Sequence, residues 1–158
     1  PEKNSLRLVR LFIERYPEYA SNMVLNVKGG MNLQTMQPAG SKEDIAKSIE
    51  NCLEQLGPKV KIDHFEPARR DFNVDFEKDT LATITSFVEQ GKIGGLALSE
   101  LNANTARQAA KSFNVRALEI EFSLFHLDPL HKGVLKTCAE LNIPVIAYCK
   151  SDPPFLHA

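Results

Sequence analysis

The fold of this chain depends on one short apolar stretch, Met23-Val24-Leu25-Asn26-Val27-Lys28-Gly29-Gly30. An apolar run with two valines is typical of a buried β-strand, and the two glycines allow a tight exit from it. Lys28 then lies at the carboxyl end of the strand, where loops converge and ligands bind in parallel α/β sheets. Lys28 is therefore a candidate catalytic residue, although a lysine that merely ends a strand would also extend into solvent.

The composition is typical of one soluble domain and disfavours several classes of partner. With 158 residues, 43% of them hydrophobic, the chain can bury a sizeable core. A formal net charge of −1 disfavours nucleic acid and membrane surfaces, since both attract basic proteins. There is no apolar run of transmembrane length, and the three cysteines and four histidines lack metal-ligand spacing. We expect a cytoplasmic protein with no metal site, no nucleic-acid partner and no membrane partner.

Segments with helical and strand patterns alternate along the chain. Ser41, followed by two acidic residues, predicts a capped helix start, and Gly57-Pro58 predicts where that helix ends. The stretch between Gly30 and Gly40 is expected to be a polar loop. The expected helices are 6–16, 41–56, 76–90, 102–113 and 128–141, and the expected strands after the first are 60–65, 93–98, 117–122 and 143–148.

Strict alternation with short connections predicts a parallel sheet, either doubly wound or part of a (β/α)8 TIM barrel. Polar or ionisable residues occur near the carboxyl ends of five expected strands, namely Lys28, Glu66, Ser99, Glu119 and Tyr148. This spread favours the mouth of a barrel, because a doubly wound sheet would concentrate such residues at one switch point. No GxGxxG or Walker loop follows any strand, which disfavours a Rossmann nucleotide site. An α/β barrel is therefore the predicted fold class.

Four motifs, in order and spacing, resemble the aldo-keto reductase family, and within it the branch of fungal pyridoxal reductases. They are the stretches 26–30, 91–100, 119–125 and 143–148. The resemblance covers almost the whole chain. It implies a (β/α)8 barrel that binds NADPH without a Rossmann fold and reduces a small-molecule aldehyde, with pyridoxal reduced to pyridoxine as the expected reaction.

The resemblance also implies roles for five residues. Lys28 matches the family's active-site lysine, whose ammonium lowers the pKa of a catalytic tyrosine by favouring its phenolate. Ser99 matches the serine that holds the nicotinamide carboxamide, and Tyr148 matches the aromatic residue that stacks on the nicotinamide ring. Glu100 and Glu119 stand where many members have asparagine and glutamine, and a carboxylate can accept from the carboxamide NH₂. Without the resemblance, Ser99 would more simply be a helix cap and Tyr148 a core residue.

The chain departs from the family pattern in two ways. Ala68 matches the position of a histidine found in many members, and His64 lies several residues too early to replace it. The catalytic tyrosine and aspartate match positions before Pro1, and the residues that grip the adenosine phosphate match positions after Ala158. We therefore expect residues 1–158 to form one partial barrel domain, the third to the seventh of eight strands, incomplete at both ends and inactive alone. Its open edges offer a route to self-association.

Two other functions stay open on the sequence. One is a non-catalytic binding or regulatory subunit that keeps the barrel, which Ala68, Glu100 and Glu119 would suit. The absence from the complete protein of a tyrosine placed to approach Lys28 would favour it. The other is a small doubly wound domain that is complete in itself and binds a phosphorylated ligand. Cooperative unfolding of the isolated chain as a monomer would favour that one.

Overall fold

The computed structural model describes residues 4–149. The helices are α1 (Asn4–Arg15), α2 (Lys42–Leu56), α3 (Ala82–Glu89), α4 (Ala103–Ser112), α5 (Asp128–His131) and α6 (Val134–Glu140). The strands are β1 (Asn26–Gly29), β2 (Met31–Asn32), β3 (Gln37–Pro38), β4 (His64–Pro67), β5 (Leu96–Ser99), β6 (Val115–Glu121) and β7 (Val145–Tyr148). A 3-10 helix (Pro17–Asn22) follows α1, and a π-helical segment (Phe76–Leu81) leads directly into α3.

Five of these strands form one parallel sheet, whose spatial order β1-β4-β5-β6-β7 follows their order in the chain. A doubly wound sheet reverses its strand order at a switch point, and this sheet does not. Consecutive parallel strands joined by helices are the repeating unit of a (β/α)8 barrel. The predicted α/β fold, with five barrel strands and their intervening helices, is confirmed, and the doubly wound alternative does not describe this sheet.

Local capping places the helices where the sequence predicts them. The Ser41 hydroxyl accepts a hydrogen bond from the Asp44 amide at 3.1 Å, which satisfies a free N–H at the start of α2. At the other end of α2, Gly57 has a φ of 70°, a left-handed conformation in which its amide bonds the Leu53 carbonyl. The side chain of Asn102 caps α4 in the same way as Ser41 caps α2, through the Thr105 amide at 2.9 Å.

The core lies between the sheet and the helices that cover it. Ile45 and Ile49 from α2, Phe65 from β4, Leu98 from β5 and Leu118 from β6 are all fully buried. Burying an aliphatic or aromatic side chain of this size contributes roughly 1.5–3 kcal/mol relative to leaving it exposed. The helices and the sheet therefore stabilise each other, and the sheet provides a fixed platform for the residues at its carboxyl edge.

Several predicted boundaries were wrong because an apolar run marks burial rather than strand pairing. Val60 and Ile62 are buried as expected, but the strand that they suggested begins only at His64 and continues to Pro67. Likewise β1 begins at Asn26, β5 at Leu96 and β7 at Val145, each two or three residues later than predicted. Strand β6 instead begins at Val115, two residues before the predicted start.

Two predicted elements have a different form. The expected polar loop between Gly30 and Gly40 contains a small antiparallel pair, β2 with β3, in which Met31 lies opposite Pro38. The expected helix over 128–141 is divided into α5 and α6 at Gly133, whose φ of 74° is incompatible with a continuous helix. Among residues 4–149 no helix combines the length and apolarity that crossing a bilayer requires.

Candidate active site

Strand register brings the predicted polar residues together at the carboxyl edge of the sheet. Lys28 on β1 lies directly opposite Glu66 on β4, and Ser99 on β5 lies opposite Glu119 on β6. Tyr148, the last residue of β7, lies beside β6 in the same sheet. Four strands therefore contribute to one cluster around Lys28, and the fifth places Tyr148 at its border.

The ammonium of Lys28 is the centre of this cluster. Its Nζ lies 2.8 Å from Ser99 Oγ, 2.9 Å from Glu119 Oε1 and 3.0 Å from Glu66 Oε1. The Ser99 contact is a hydrogen bond, whereas Glu119 and Glu66 contact the ammonium as ion pairs. Neither carboxyl oxygen of Glu66 has a partner with hydrogen-bond geometry among the described residues. The Lys28 side chain is 33% exposed, which leaves one side of it open to the mouth of the sheet. Lys28 is thus held by three other strands and does not simply extend into solvent.

Glu66 is the most deeply buried member of the cluster, with no exposed surface. Burial raises the pKa of its carboxyl group to about 7, because the charged form loses its hydration. The Lys28 ammonium and the Asn26 amide oppose this shift, and the Glu119 carboxylate adds to it. Sequence reasoning placed Glu66 near a strand end but gave it no role, because an isolated glutamate in the sequence carries no sign of what lies across the sheet.

Asn26 is a second residue of the cluster that sequence reasoning missed. Its amide Nδ2 donates to Glu119 Oε2 at 3.0 Å, while the other oxygen of Glu119 faces Lys28. The signal was present in the spacing, because residues two apart in a strand point to the same face. The Oδ1 atom of Asn26 is buried and has no hydrogen-bond partner among the described residues.

Tyr148 is held by Glu100 rather than by Lys28. Its hydroxyl donates to Glu100 Oε1 at 2.7 Å, and the Glu121 amide donates to the same oxygen at 2.6 Å. Burial and the neighbouring Glu100 carboxylate raise the pKa of the Tyr148 phenol, so the phenol stays protonated near neutral pH. The centre of its ring lies 5.4 Å from Lys28 Nζ. The arrangement fixes the ring while making the hydroxyl a poor proton donor.

The donor set fits a nicotinamide carboxamide. Such a group needs an acceptor for its NH₂ and a donor for its carbonyl oxygen, which the Glu119 carboxylate and the Ser99 hydroxyl can supply. The Tyr148 ring offers a flat apolar surface beside them. Glu100 lies at this border, where its Oε1 atom is already engaged by Tyr148 and Glu121. The cofactor contacts of Glu100 and of the other three residues all stay predictions.

Two further positions bear on the chemistry. Ala68, which matches the family's histidine, donates its amide to the Gly29 carbonyl at 2.8 Å and has only a methyl side chain. His64 begins β4, at the opposite end from Glu66 and Pro67, as the sequence indicated. Among residues 4–149, no group of three histidine, cysteine or acidic side chains is arranged to hold a metal ion.

Gly29 sets how closely β1 approaches its neighbours just beyond Lys28. A Cβ atom at this position would lie 2.4 Å from both Phe65 Cζ and Ser48 Oγ. Only glycine leaves room for the Phe65 ring and for the Ser48 hydroxyl, which accepts from the Gly30 amide at 3.1 Å. The glycine pair noted in the sequence therefore fixes the end of the strand that carries Lys28.

Comparison with known proteins identifies the family of the chain. The sequence model described as "Aldo/keto reductase family" matches residues 1–150. The chain is 38% identical over 157 residues to a Schizosaccharomyces pombe protein named "Probable pyridoxal reductase 2", a match that covers 99% of this chain and 46% of that protein. It is 35% identical over 114 residues to "Aldo-keto reductase yakc [NADP(+)]" of the same yeast, across 71% of this chain and 33% of that protein.

A solved structure supports the fold independently. The crystal structure of a thermostable aldo-keto reductase, Tm1743, with the inhibitor epalrestat superposes with a TM-score of 0.75 at 18% identity, over 91% of this chain and 50% of the other. The chain spans less than half the length of the curated relatives it matches. The resemblance seen in four sequence motifs is confirmed: the chain belongs to the aldo/keto reductase family.

Proposed function

We propose that the complete protein reduces an aldehyde to an alcohol with NADPH, and that this chain supplies the active-site lysine and the nicotinamide contacts. One observation carries the proposal: Lys28 Nζ lies within 3.0 Å of Ser99 and Glu119 and 5.4 Å from the Tyr148 ring centre. These are the residues for which the family resemblance implied a lysine, two carboxamide contacts and a stacking aromatic residue.

Lys28 acts through its charge. When bound, NADPH supplies a hydride to the carbonyl carbon, and a tyrosine expected outside this chain supplies the proton to the carbonyl oxygen. An ammonium about 4 Å from that tyrosine would favour its phenolate by about 4 kcal/mol at an effective dielectric constant of about 20, which corresponds to about three pKa units. This value is an upper limit, because Glu66 and Glu119 offset part of the ammonium's charge.

Ser99, Glu119 and Tyr148 orient the cofactor in this proposal. The Ser99 hydroxyl and the Glu119 carboxylate would hold the carboxamide and so limit rotation of the nicotinamide ring. The Tyr148 ring, fixed by the bond from its hydroxyl to Glu100, would stack on the nicotinamide and leave hydride transfer to the uncovered side. The preference for NADPH over NADH rests on the family resemblance and on the relative whose name includes NADP(+).

Pyridoxal is the proposed substrate. The support is the similarity across 99% of this chain to the fission yeast relative named for pyridoxal reduction.

The described cysteines Cys52, Cys138 and Cys149 are free, which is consistent with a reducing compartment, and we propose the cytoplasm.

Strands β1 and β7 form the two edges of the described sheet, and we propose that they pair with the remaining strands of a complete barrel. In isolation the same edges would favour self-association.

The test is an assay of the complete protein with pyridoxal and either NADPH or NADH, followed by the loss of reduced-nicotinamide absorbance. Reduced cofactor with deuterium in place of the transferred hydride should give pyridoxine with deuterium on its new alcohol carbon. Oxidation of neither cofactor with pyridoxal or with a panel of other aldehydes would overturn the proposal.

The second candidate is a non-catalytic member that binds the cofactor without turnover. Ala68 favours it, because a methyl group lacks the titratable nitrogens of the histidine that many family members have at this position. The same assay separates the two: tight NADPH binding without oxidation by any aldehyde would support the non-catalytic function.

A further inference from the structure

Glu66 is an unusual residue for its place in the fold. It lies in a strand whose last three residues, Phe65, Glu66 and Pro67, are all buried. An ionised carboxylate that is buried without a partner is strongly disfavoured, because it loses its hydration. The carboxylate of Glu66 is nevertheless present, in register with Lys28 and 3.0 Å from its Nζ.

The three acceptors around Lys28 differ in whether a ligand can reach them. Glu119 has an 18% exposed side chain and lies on the open side with Lys28, whereas Glu66 has no exposed surface. Under the proposed function, the cofactor carboxamide would take the Ser99 hydroxyl and the Glu119 carboxylate. Ser99 is also almost fully buried, at 1% exposure, so Glu66 is the carboxylate that stays beside Lys28 while the more exposed Glu119 takes up the cofactor.

The ionisation of Glu66 also determines how much positive charge the cluster presents. With Glu66 and Glu119 both ionised, two carboxylates surround one ammonium and the cluster of three side chains is net negative. With Glu66 neutral, the ammonium faces a single carboxylate. The charged groups that face Glu66 are Lys28 from β1 and Glu119 from β6, and its other near polar neighbour, Asn26, is uncharged.

We propose that Glu66 is the positioning residue of Lys28: its buried carboxyl group holds the ammonium at the carboxyl edge of the sheet, and its protonation state sets the charge that Lys28 presents to the catalytic tyrosine. This inference rests on the proposed function. It predicts that a neutral Glu66 leaves Lys28 more effective at stabilising the phenolate, and that reduction slows as Glu66 ionises.

The sign of the pH effect follows from burial. The pKa of Glu66 is raised to about 7, so the group is neutral on the acid side of that value and ionised on the alkaline side. We expect kcat/KM for reduction to fall by about tenfold as pH rises through this range, in addition to any loss from the tyrosine itself. Glu66→Gln keeps the shape of the side chain and cannot ionise, so its profile should lack this inflection.

The experiment has two parts, and the first needs no turnover. The carboxyl carbon of Glu66 in the complete protein without cofactor is followed by ¹³C NMR across pH and identified by its loss in Glu66→Gln. Lys28→Met should raise its midpoint by about one pH unit or more, because the ammonium favours the ionised form. A midpoint that Lys28→Met leaves unchanged would overturn the inference.

The second part compares pH profiles of kcat/KM for wild type, Glu66→Gln and the matched control Glu54→Gln, an exposed residue of α2. We expect the control to keep the wild-type profile and Glu66→Gln to lose the inflection, with its NADPH Kd within about threefold of wild type. An unchanged profile in Glu66→Gln would also overturn the inference. If wild type shows no turnover, the proposed function fails, and the NMR titration alone decides whether Glu66 holds Lys28.

Discussion

Lys28 and Ser99 are 71 residues apart in the chain and 2.8 Å apart between Nζ and Oγ. The contact spans the width of β4, because β1 and β5 are not neighbours in the sheet. A direct bond between side chains of non-adjacent strands fits a sheet that curves toward the face carrying them, as in a barrel interior. The lysine and the proposed carboxamide site are therefore one structural unit.

Ser99→Ala removes an acceptor from Lys28 and the proposed donor to the carboxamide. We expect the NADPH Kd to rise by roughly five- to tenfold, the effect of losing a net hydrogen bond of about 1 kcal/mol. Fluorescence titration of bound NADPH measures this value. Ser21→Ala, at an exposed site on the 3-10 helix, is the matched control and should bind as wild type does. Equal NADPH affinity in both variants would show that Ser99 does not contribute to cofactor binding.

The Tyr148 ring and hydroxyl can be separated by two substitutions. Tyr148→Phe keeps the ring and loses the bond to Glu100, so we expect at most a few-fold loss of NADPH affinity. Tyr148→Ala loses the ring as well and should weaken NADPH binding at least about tenfold. The same titration measures both variants. If Tyr148→Phe and Tyr148→Ala weaken NADPH binding equally, the hydroxyl rather than stacking accounts for the role of Tyr148.

Glu66 should make the folded state sensitive to pH. Its pKa in the folded state is raised from an ordinary value of 4.5 to about 7, so the folded state holds this proton more tightly than the unfolded chain does. The resulting stability is fully present below pH 4.5 and is lost as pH rises through about 7. Chemical denaturation of wild type and Glu66→Gln at several pH values measures it. The difference in unfolding free energy between them should shift in favour of Glu66→Gln across this window, and a constant difference would contradict the raised pKa.

Removing Lys28 should destabilise the fold through Glu66. Lys28→Met leaves the buried Glu66 carboxyl group without its ammonium, and we expect the free energy of unfolding to fall by about 1 kcal/mol near pH 8. This is below the roughly 3–5 kcal/mol typical of fully buried pairs, because a carboxyl group with a pKa of about 7 takes up a proton when the ammonium is removed. The double variant with Glu66→Leu should recover most of this loss. Denaturant unfolding at pH 8 measures both variants. A double variant no more stable than Lys28→Met would show that the cost does not arise from the buried charge.

Gly29→Ala tests how the end of β1 is held. The new methyl would lie 2.4 Å from Phe65 and Ser48, so β1 must shift, and we expect a loss of about 1–3 kcal/mol in the free energy of unfolding. Gly133→Ala is a useful contrast, because its Cβ would meet no atom within 4 Å and only its φ of 74° is unfavourable. Gly133→Ala should lower the free energy of unfolding by about 1 kcal/mol. A smaller loss at Gly29 than at Gly133 would contradict the close packing.

The sequence predicted the elements and their order because capping and periodicity are local properties. Ser41, Gly57 and Asn102 act at the helix ends where those signals placed them. Strand ends were less predictable, since Val60 and Ile62 are buried but lie before the start of β4 at His64. Which residues pair depends on the neighbouring strand, and the sequence of one segment does not contain that information.

The candidate site shows the same limit. Lys28, Ser99, Glu119 and Tyr148 could be named from strand ends and family motifs, and the sheet brings them together. Glu66 could not be assigned a role, because its importance comes from an ammonium on a neighbouring strand and from burial that only the packed sheet creates. Long-range contacts of this kind, rather than motifs, determine the charge of the cluster.

Turnover of pyridoxal by Lys28→Met, measured in the complete protein with NADPH, tests the proposed role of Lys28. We expect kcat to fall on the order of 10²–10⁴-fold, the range for disabling an acid–base element, with a few-fold change or less in NADPH Kd. Lys47→Met, an exposed lysine on α2, is the matched control and should retain wild-type kcat. A Lys28→Met protein that reduces pyridoxal at the wild-type rate would contradict the proposal that the charge of Lys28 promotes proton transfer from the tyrosine.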